Sequence, residues 1–182
     1  IALAASWKSL FGRKLKDTGS EGEFGADGFE GESYRFYKGG LFRSNKTVRS
    51  ELDATLQEGL NAQFSSIKAS TAEAAKALGL GTESIDSFTK SVKISFQGLD
   101  EKGIQDKLKE TFDGIANDLA TGVLGTAGAE FMKTGETAAE ALTRLSTNIT
   151  AANAAMETLG FSLFEVSLKG ADAASTLIDA FG

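Results

Sequence analysis

Five carboxylates fall within residues 21–32, where they alternate with glycine in GSEGEFGADGFEGES, the sequence of residues 19–33. Closely spaced carboxylates can bind a hard cation such as Ca²⁺, and two carboxylates brought together by a fold can catalyse glycoside hydrolysis. The spacing matches neither an EF-hand loop nor the glycine-rich nonapeptide repeat, so we assign no metal and no cofactor. The five residues are Glu21, Glu23, Asp27, Glu30 and Glu32.

The same stretch carries a glycine at every third position, at residues 19, 22, 25, 28 and 31. This period is typical of the collagen triple helix, but collagen depends on proline and the chain contains none. A segment so rich in glycine and acidic residues is expected to contribute little to a core. We therefore predict an exposed acidic loop without regular secondary structure over residues 20–31, joining two strands.

Few other residues suggest catalysis. The chain has no histidine and no cysteine, which excludes histidine-dependent triads, disulfides and most zinc sites. The carboxylate pairs Asp106/Glu110 and Glu136/Glu140 are predicted to lie on solvated helix faces. We expect the protein not to be an enzyme. A glycosidase whose fold brings two carboxylates together stays open as an alternative.

Charge and hydropathy limit the partners. The formal net charge is −6, and an acidic chain is poorly suited to sequence-specific nucleic-acid binding, which needs clustered basic residues. The longest apolar runs are only a few residues, too short to span a bilayer, so any membrane contact is expected outside this stretch. The chain opens without methionine and closes on Phe181 and Gly182, and we expect it to be a piece of a longer polypeptide.

Alternating apolar residues predict strands at about 13–18, 34–38, 41–47 and 89–96. Gly39 and Gly40 lie between the second and third of these, which favours a two-residue hairpin turn. Val92, Ile94 and Phe96 share one face of the last strand, which we expect to join the same small antiparallel sheet.

Helical periodicity predicts three longer helices and a short one. We expect helices at 50–78, capped by Ser50, at 101–121, capped by Asp100, and at 130–159, followed by a capping box at Ser162 and Glu165 and a last helix over 171–181. Glycine followed by an apolar residue, at 79–80 and 160–161, predicts Schellman stops. The expected fold class is α+β, with an α+β domain over residues 1–126 and a helical segment over 127–182.

One helix carries a regular apolar stripe at alternating steps of four and three. Its average spacing of 3.5 residues is the coiled-coil period, which favours association with a neighbouring helix. We predict a small homo-oligomer through this stripe, a trimer being favoured, while packing against the chain's own helices stays open as the alternative. Its residues are Phe131, Gly135, Ala138, Leu142, Leu145, Ile149, Ala152, Met156 and Leu159.

The order of these elements resembles the folded section toward the C-terminal end of the tape-measure proteins of long-tailed bacteriophages. The resemblance covers nearly the whole chain and includes YRFYKGGLF at 34–42, ALGL at 77–80, ISFQGL at 94–99, FMKTGET at 131–137 and LGFSL at 159–163. Shorter matches lie at 9–12, 16–19, 52–53 and 170–172. The long helical repeat of the family's rod and its membrane-active segments are missing from this stretch.

The resemblance implies a structural role in a virion. Proteins of this family fill the tail lumen, set tail length during assembly, dock on tail-tip, hub and distal tail proteins, and leave ahead of the DNA at infection. Synthesis in the cytoplasm of a host bacterium and residence in the phage tail would follow. Some members of the family carry peptidoglycan hydrolase domains, so a domain that cleaves peptidoglycan with two carboxylates, Glu23 or Glu30 serving as the acid, stays open as an alternative. A generic α+β protein-interaction domain is the alternative outside phage biology.

Overall fold

A computed structural model describes residues 13–40 and 43–181, apart from the side chain of Phe181. These residues form a four-stranded sheet, in the order β3-β2-β1-β4, whose paired strands all run antiparallel. Strands and helices occupy largely separate stretches, so the predicted α+β class is confirmed. The strands are β1 (Lys14–Gly25), β2 (Gly28–Lys38), β3 (Lys46–Glu51) and β4 (Lys90–Ser95).

In the described part of the chain, five α-helices follow or interrupt the strands: α1 (Ala54–Ala77), α2 (Glu83–Asp86), α3 (Glu101–Gly128), α4 (Ala138–Leu159) and α5 (Leu168–Phe181). A 3₁₀ turn over Ala129–Phe131 comes between α3 and α4. Helix α3 is broken at Gly125, whose φ of 55° and ψ of −159° are not helical. The helical residues therefore continue past the expected end at 121, with a kink at this glycine.

Contacts divide the chain into two compact units, and the division differs from the expected boundary at residue 126. The first unit contains residues up to 63 together with 89–112, and the second contains 64–88 together with 113–182. The division also separates charge. The first unit has fourteen Lys and Arg against thirteen Asp and Glu, whereas the second has five against twelve, a net of −7.

The acidic glycine stretch is a β-hairpin, so the prediction of an irregular exposed loop over 20–31 was wrong. Strands β1 and β2 pair without interruption from Asp17 to Gly25 around a two-residue turn at Ala26 and Asp27. Alternation explains the error, because one face of the hairpin carries the buried side chains of Ser20, Phe24 and Phe29. The ring centroids of Phe24 and Phe29 lie 4.7 Å apart, and the ring centroid of Phe112, in α3, lies 5.7 Å from that of Phe24.

Glycine is required in the hairpin for space. Gly22 and Gly31 lie directly opposite each other, with the Phe29 ring beside both. A Cβ on Gly31 would lie 2.6 Å from ring carbon Cε1 of Phe29, which no side chain could tolerate without a shift. Gly28, at a φ of 115°, supplies the backbone conformation that ends the turn. Strand packing at Gly19, Gly22 and Gly31 and turn geometry at Gly28 therefore account for four of the five glycines, whereas Gly25 has open space around it.

The strands on either side of the predicted turn at Gly39 and Gly40 do pair antiparallel, as predicted. The two-residue turn itself was wrong. Strand β3 begins at Lys46, paired with Tyr37, and not at residue 41. The connection therefore spans residues 39–45, where the Gly39 N–H donates to Asn45 Oδ1 at 3.0 Å. Leu41 and Phe42 lie outside the described residues. Strand β4 pairs with β1, so its predicted place in the same sheet is confirmed.

A polar network joins three strands on the sheet face opposite Phe24 and Phe29. Tyr34 donates its hydroxyl to Asp17 Oδ2 at 2.8 Å, and Ser95 donates to Asp17 Oδ1 at 2.5 Å. The Ser95 hydrogen bond, followed by that of Tyr34, holds the pKa of Asp17 below its usual value despite partial burial. Burial raises the pKa of Tyr34 to about 12. This network ties the start of β1 to both neighbouring strands.

The ends of the helices separate correct from incorrect predictions. Both glycine stops are confirmed: Leu80 N–H donates to Ala75 O, and Phe161 N–H donates to Met156 O, each at 2.9 Å. Asp100 caps α3 as predicted, because its Oδ1 accepts from Gly103 N–H at 2.8 Å.

Three predicted helix starts are wrong. Ser50 lies in β3, and Asp53 accepts from the backbone of Thr55 and Leu56 instead. Helix α4 starts at Ala138, eight residues later than expected, because Thr137 and Glu140 form a reciprocal capping box there. The pair Ser162/Glu165 caps nothing, since Ser167 is the residue whose Oγ accepts from Gly170 N–H at the start of α5.

Candidate interaction surface

Most of the predicted oligomerisation stripe is core of the second unit. Ala138, Leu142, Leu145, Ile149 and Ala152 are all buried within the single chain. Helix α5 packs along α4, and Asn148 Nδ2 donates to Ser175 Oγ at 3.0 Å between these helices. A side chain already buried in its own chain has little surface left for another copy. These five side chains therefore pack within their own chain, and the homo-oligomer stays a prediction.

The ends of the stripe behave differently from its centre. Phe131 lies in the 3₁₀ turn and Gly135 in the connection before α4, so neither is part of the helix. Met156 is half-buried, and Leu159 is 66% exposed. Among the large apolar residues of the stripe, Leu159 is therefore the most exposed to a partner.

Leu159 begins a short run of exposed apolar residues. Seven large apolar side chains of the described residues are exposed, and four of them fall within eight consecutive positions. Contiguous exposed apolar side chains are typical of protein or membrane contact sites, whereas single ones are ordinary. We call these four the 159–166 surface: Leu159 at 66% exposure, Phe161 at 64%, and Leu163 and Val166 at 55% each.

The backbone that carries this surface is held in place by α4. Gly160 ends the helix in the left-handed conformation at a φ of 71°, and residues 161–167 form no helix or strand. Asn153 Oδ1 then accepts from Phe164 N–H at 2.7 Å, while Asn153 Nδ2 donates to Phe164 O at 3.3 Å. One side-chain amide thus satisfies both backbone polar groups at the middle of the segment, much as a neighbouring strand would.

Two glycines allow the segment to lie close against helix ends. A Cβ on Gly79, just after α1, would lie 2.7 Å from Val166 O. A Cβ on Gly170, in the first turn of α5, would overlap Glu165 O. The segment is thus in contact with the ends of three helices, so the 159–166 surface is presented in a defined conformation.

Charges around the 159–166 surface are mainly negative. Glu157, Glu165 and Asp172 are exposed on and beside the segment, against two exposed lysines, Lys169 and Lys76, the second in the last turn of α1. The C-terminal ends of α1 and α4 meet the segment as well, and a helix C-terminus carries partial negative charge. Carboxylates therefore outnumber lysines beside the apolar residues by three to two.

The acidic hairpin places its carboxylates in cross-strand pairs. Glu23 faces Glu30 and Glu21 faces Glu32 across β1 and β2. Arg49 Nε lies 2.7 Å from an oxygen of both Glu21 and Glu32. The Arg49 hydrogen bond, assisted by Lys93 at 3.3 Å, holds the pKa of Glu21 below its usual value. Glu23 and Glu30 are exposed, with Ser91 Oγ donating to Glu23 at 3.1 Å.

Of the two helical carboxylate pairs, one is solvated as predicted. Asp106 and Glu110 form exposed ion pairs with Lys102 and Lys107 within α3. Glu136 instead precedes α4, with a side chain only 12% exposed. Its neighbour Glu140 accepts from Thr137 N–H at 2.8 Å in the capping box, which lowers its pKa. Both carboxylates of this second pair thus organise the start of α4.

Within residues 13–40 and 43–181, no three acidic side chains converge as a metal site would require. Across the same part of the chain, no helix combines the length and apolar character needed to cross a bilayer. No known protein-family model, curated protein or solved structure matches this chain.

Sequence reasoning missed Phe161, Leu163 and Val166 as candidate site residues. Their signal was available in part, because three large apolar residues follow a helix stop in a segment without helical or strand periodicity. The sequence pattern could not predict the hydrogen bonds of Asn153 to Phe164. These bonds hold the segment against α4, where the three side chains are exposed.

Proposed function

We propose that this chain is a non-enzymatic structural module of a bacteriophage tail, corresponding to the folded section toward the C-terminal end of a tape-measure protein. In this role it docks on tail-tip, hub or distal tail proteins during assembly and is released ahead of the DNA. The sequence resemblance suggests the family, and the observation that supports a docking role is the 159–166 surface. Its first five residues, LGFSL, are also one of the resembling motifs.

The geometry favours docking over catalysis. A glycosidase acid lies in an apolar environment that keeps its carboxyl protonated, whereas Glu23 and Glu30 both lie exposed on a sheet face. By contrast, the 159–166 surface combines apolar side chains with a fixed backbone, which lowers the entropy cost of association. We therefore expect purified chain to leave peptidoglycan intact in a zymogram. A clearing zone lost in Glu23→Gln or Glu30→Gln would replace this proposal by the hydrolase alternative.

The test in the virion is a substitution in the phage gene that encodes the parent protein. The double variant Phe161→Ser/Leu163→Ser removes exposed apolar side chains without changing charge, so the fold should be retained. We expect electron microscopy to show tails that are absent or of irregular length, and mass spectrometry to show loss of tail-tip proteins from the particles. A matched control is Val48→Ser/Leu99→Ser, which removes two apolar side chains of the first unit that are 39% and 40% exposed.

Two results would contradict the proposal. Normal tails with a complete tip from Phe161→Ser/Leu163→Ser would show that the 159–166 surface is not needed for docking. Absence of this chain from tails purified at every stage of assembly would exclude a role in the tail.

A further inference from the structure

We infer that the 159–166 surface binds a basic amphipathic segment of another protein, in which apolar side chains are flanked by lysine or arginine. This inference rests on the proposed docking role and specifies the chemistry of the partner. It excludes acidic peptides, anionic lipid and nucleic acid as occupants of the same surface.

Charge complementarity carries the argument. The second unit, which contains the whole surface, has a net charge of −7, while the chain as a whole has −6. The first unit has a net charge of +1, so the net negative charge of the protein comes entirely from the unit that presents the exposed apolar residues. Summed charge of one sign attracts partners of the opposite sign and repels those of the same sign.

Local charge at the surface agrees with the charge of the unit. Glu157 and Glu165 flank the apolar residues in the chain, and Lys169 is the one basic residue between 157 and 172. The C-terminal end of α4 adds negative partial charge, because Leu159 is its last residue. At the end of α1, where Val166 lies against Gly79, Lys76 in the last helical turn offsets that partial charge. Cations near a helix C-terminus are stabilised, so a lysine or arginine side chain on a partner has a favourable position at the α4 end of the surface.

The size of the surface distinguishes a partner segment from a second copy. Stable dimers bury on the order of 800 Å² from each partner, as a rule over a broad, flat interface. Four partly exposed side chains on an eight-residue segment offer only part of that area. Two copies would also bring two units of net charge −7 together. An amphipathic segment that lays one apolar face along the surface meets neither difficulty.

The probes are two synthetic amphipathic peptides with identical leucine positions, one with lysine and one with glutamate at the polar positions. Binding to the full chain is measured by isothermal titration calorimetry at about 0.05 M and about 0.5 M salt. We expect the lysine peptide to bind at least about tenfold more tightly than the glutamate peptide, and to weaken at the higher salt. Phe161→Ser/Leu163→Ser should lose binding by at least about tenfold, and Val48→Ser/Leu99→Ser should not.

A second variant tests the charges separately from the apolar side chains. Glu157→Gln/Glu165→Gln keeps all four apolar residues, and we expect it to bind the lysine peptide less tightly, with a smaller dependence on salt. Circular dichroism of each variant checks that it is folded, so that a loss of binding is not a loss of structure.

Four outcomes would overturn the inference. Equal affinity for both peptides would remove the charge argument, and unchanged lysine-peptide binding by Phe161→Ser/Leu163→Ser would place the site elsewhere. If the wild type dimerises in sedimentation velocity and this variant does not, the occupant of the surface is a second copy of the chain. If the wild type binds phosphatidylcholine vesicles and the same variant does not, the 159–166 surface is a lipid-binding site.

The inference and the proposed function fail separately. If the phage variant loses tail-tip proteins but the lysine peptide does not bind, docking stands and the partner is not basic. If the peptide binds as expected but the phage variant assembles normal tails, the surface is a binding site without a role in tail assembly.

Discussion

Arg144 binds both carboxylate oxygens of Glu136, with Nε 2.7 Å from Oε1 and Nη2 2.9 Å from Oε2. The same guanidinium donates to Phe131 O at 2.8 Å, and Lys133 N–H donates to Glu136 Oε2 at 2.8 Å. The two side chains are 17% and 12% exposed, so solvent screens this pair less than the ion pairs on α3. The cluster fixes the connection between the 3₁₀ turn and the start of α4.

The first prediction concerns the pH dependence of this cluster. The Arg144 hydrogen bond lowers the pKa of Glu136 from 4.5, so the pair stabilises the fold above pH 4.5 and is lost as the pH falls through the lowered value. Glu136→Gln should lower the free energy of unfolding by about 1.5–3 kcal/mol at pH 7. Urea unfolding at about pH 3 should show a smaller difference in the free energy of unfolding between Glu136→Gln and the wild type than at pH 7. Glu110→Gln, in an exposed ion pair, is the control and should change much less. A constant difference across this range would argue against the linkage.

The second prediction concerns the clamp of Asn153 on Phe164. Asn153→Asp keeps an acceptor for Phe164 N–H but replaces the donor to Phe164 O by a carboxylate oxygen. We expect faster hydrogen exchange at residues 161–166 and a loss of about 1 kcal/mol in stability. Asn148→Asp, which disturbs the contact with Ser175 elsewhere on α4, is the control and should leave exchange in this segment unchanged. Unaltered exchange in Asn153→Asp would mean that other contacts fix the segment.

The third prediction separates the glycines of the hairpin. Gly22→Ala should destabilise the protein by about 1–3 kcal/mol, because overpacking forces the strands or the Phe29 ring to move. The new Cβ would lie 2.5 Å from Gly31 Cα and 2.8 Å from ring carbon Cζ of Phe29. Gly25→Ala is the matched control. Apart from Gly25 and its two chain neighbours, no atom lies within 4 Å of where the new Cβ would be, and the φ of Gly25 is not positive. Thermal unfolding measures both variants, and equal melting temperatures would contradict the packing of the hairpin.

The fourth prediction concerns calcium and the acidic hairpin. Arg49 and Lys93 already occupy the carboxylate of Glu21, and Arg49 also binds Glu32. We expect the melting temperature to stay unchanged when millimolar calcium is added or removed with a chelator. A ligand that binds only the native state must stabilise it, so a rise of several degrees would establish a calcium site. Glu23→Gln/Glu30→Gln would then show whether that site uses the exposed cross-strand pair.

Local features of the sequence determined several elements by themselves. Helix stops at Gly79 and Gly160 depend on a left-handed glycine and bonds that span a few residues, so the pattern and the structure agree. Asp100 caps α3 for the same reason. The strand over Val92 and Ile94 was predictable because alternation fixes which side chains face a core.

Tertiary structure decided the elements whose local signals conflict. Glycine and acidic residues made 20–31 resemble a loop, yet pairing of β1 with both β2 and β4 and the burial of Phe24 and Phe29 outweigh those weak preferences. The apolar stripe of α4 required a neighbouring surface, but its period could not tell whether another copy or the chain's own α5 supplies it. Both choices depend on residues far apart in sequence.

The candidate site shows the same division most clearly. The sequence determines that Leu159, Phe161, Leu163 and Val166 are apolar and follow a helix stop. Hydrophobicity alone predicts burial for such residues. Only the folded chain leaves them exposed, because the hydrogen bonds of Asn153 and the close contact at Gly79 fix the backbone of the segment against the helix ends. With the backbone held there, the four side chains remain 55–66% exposed.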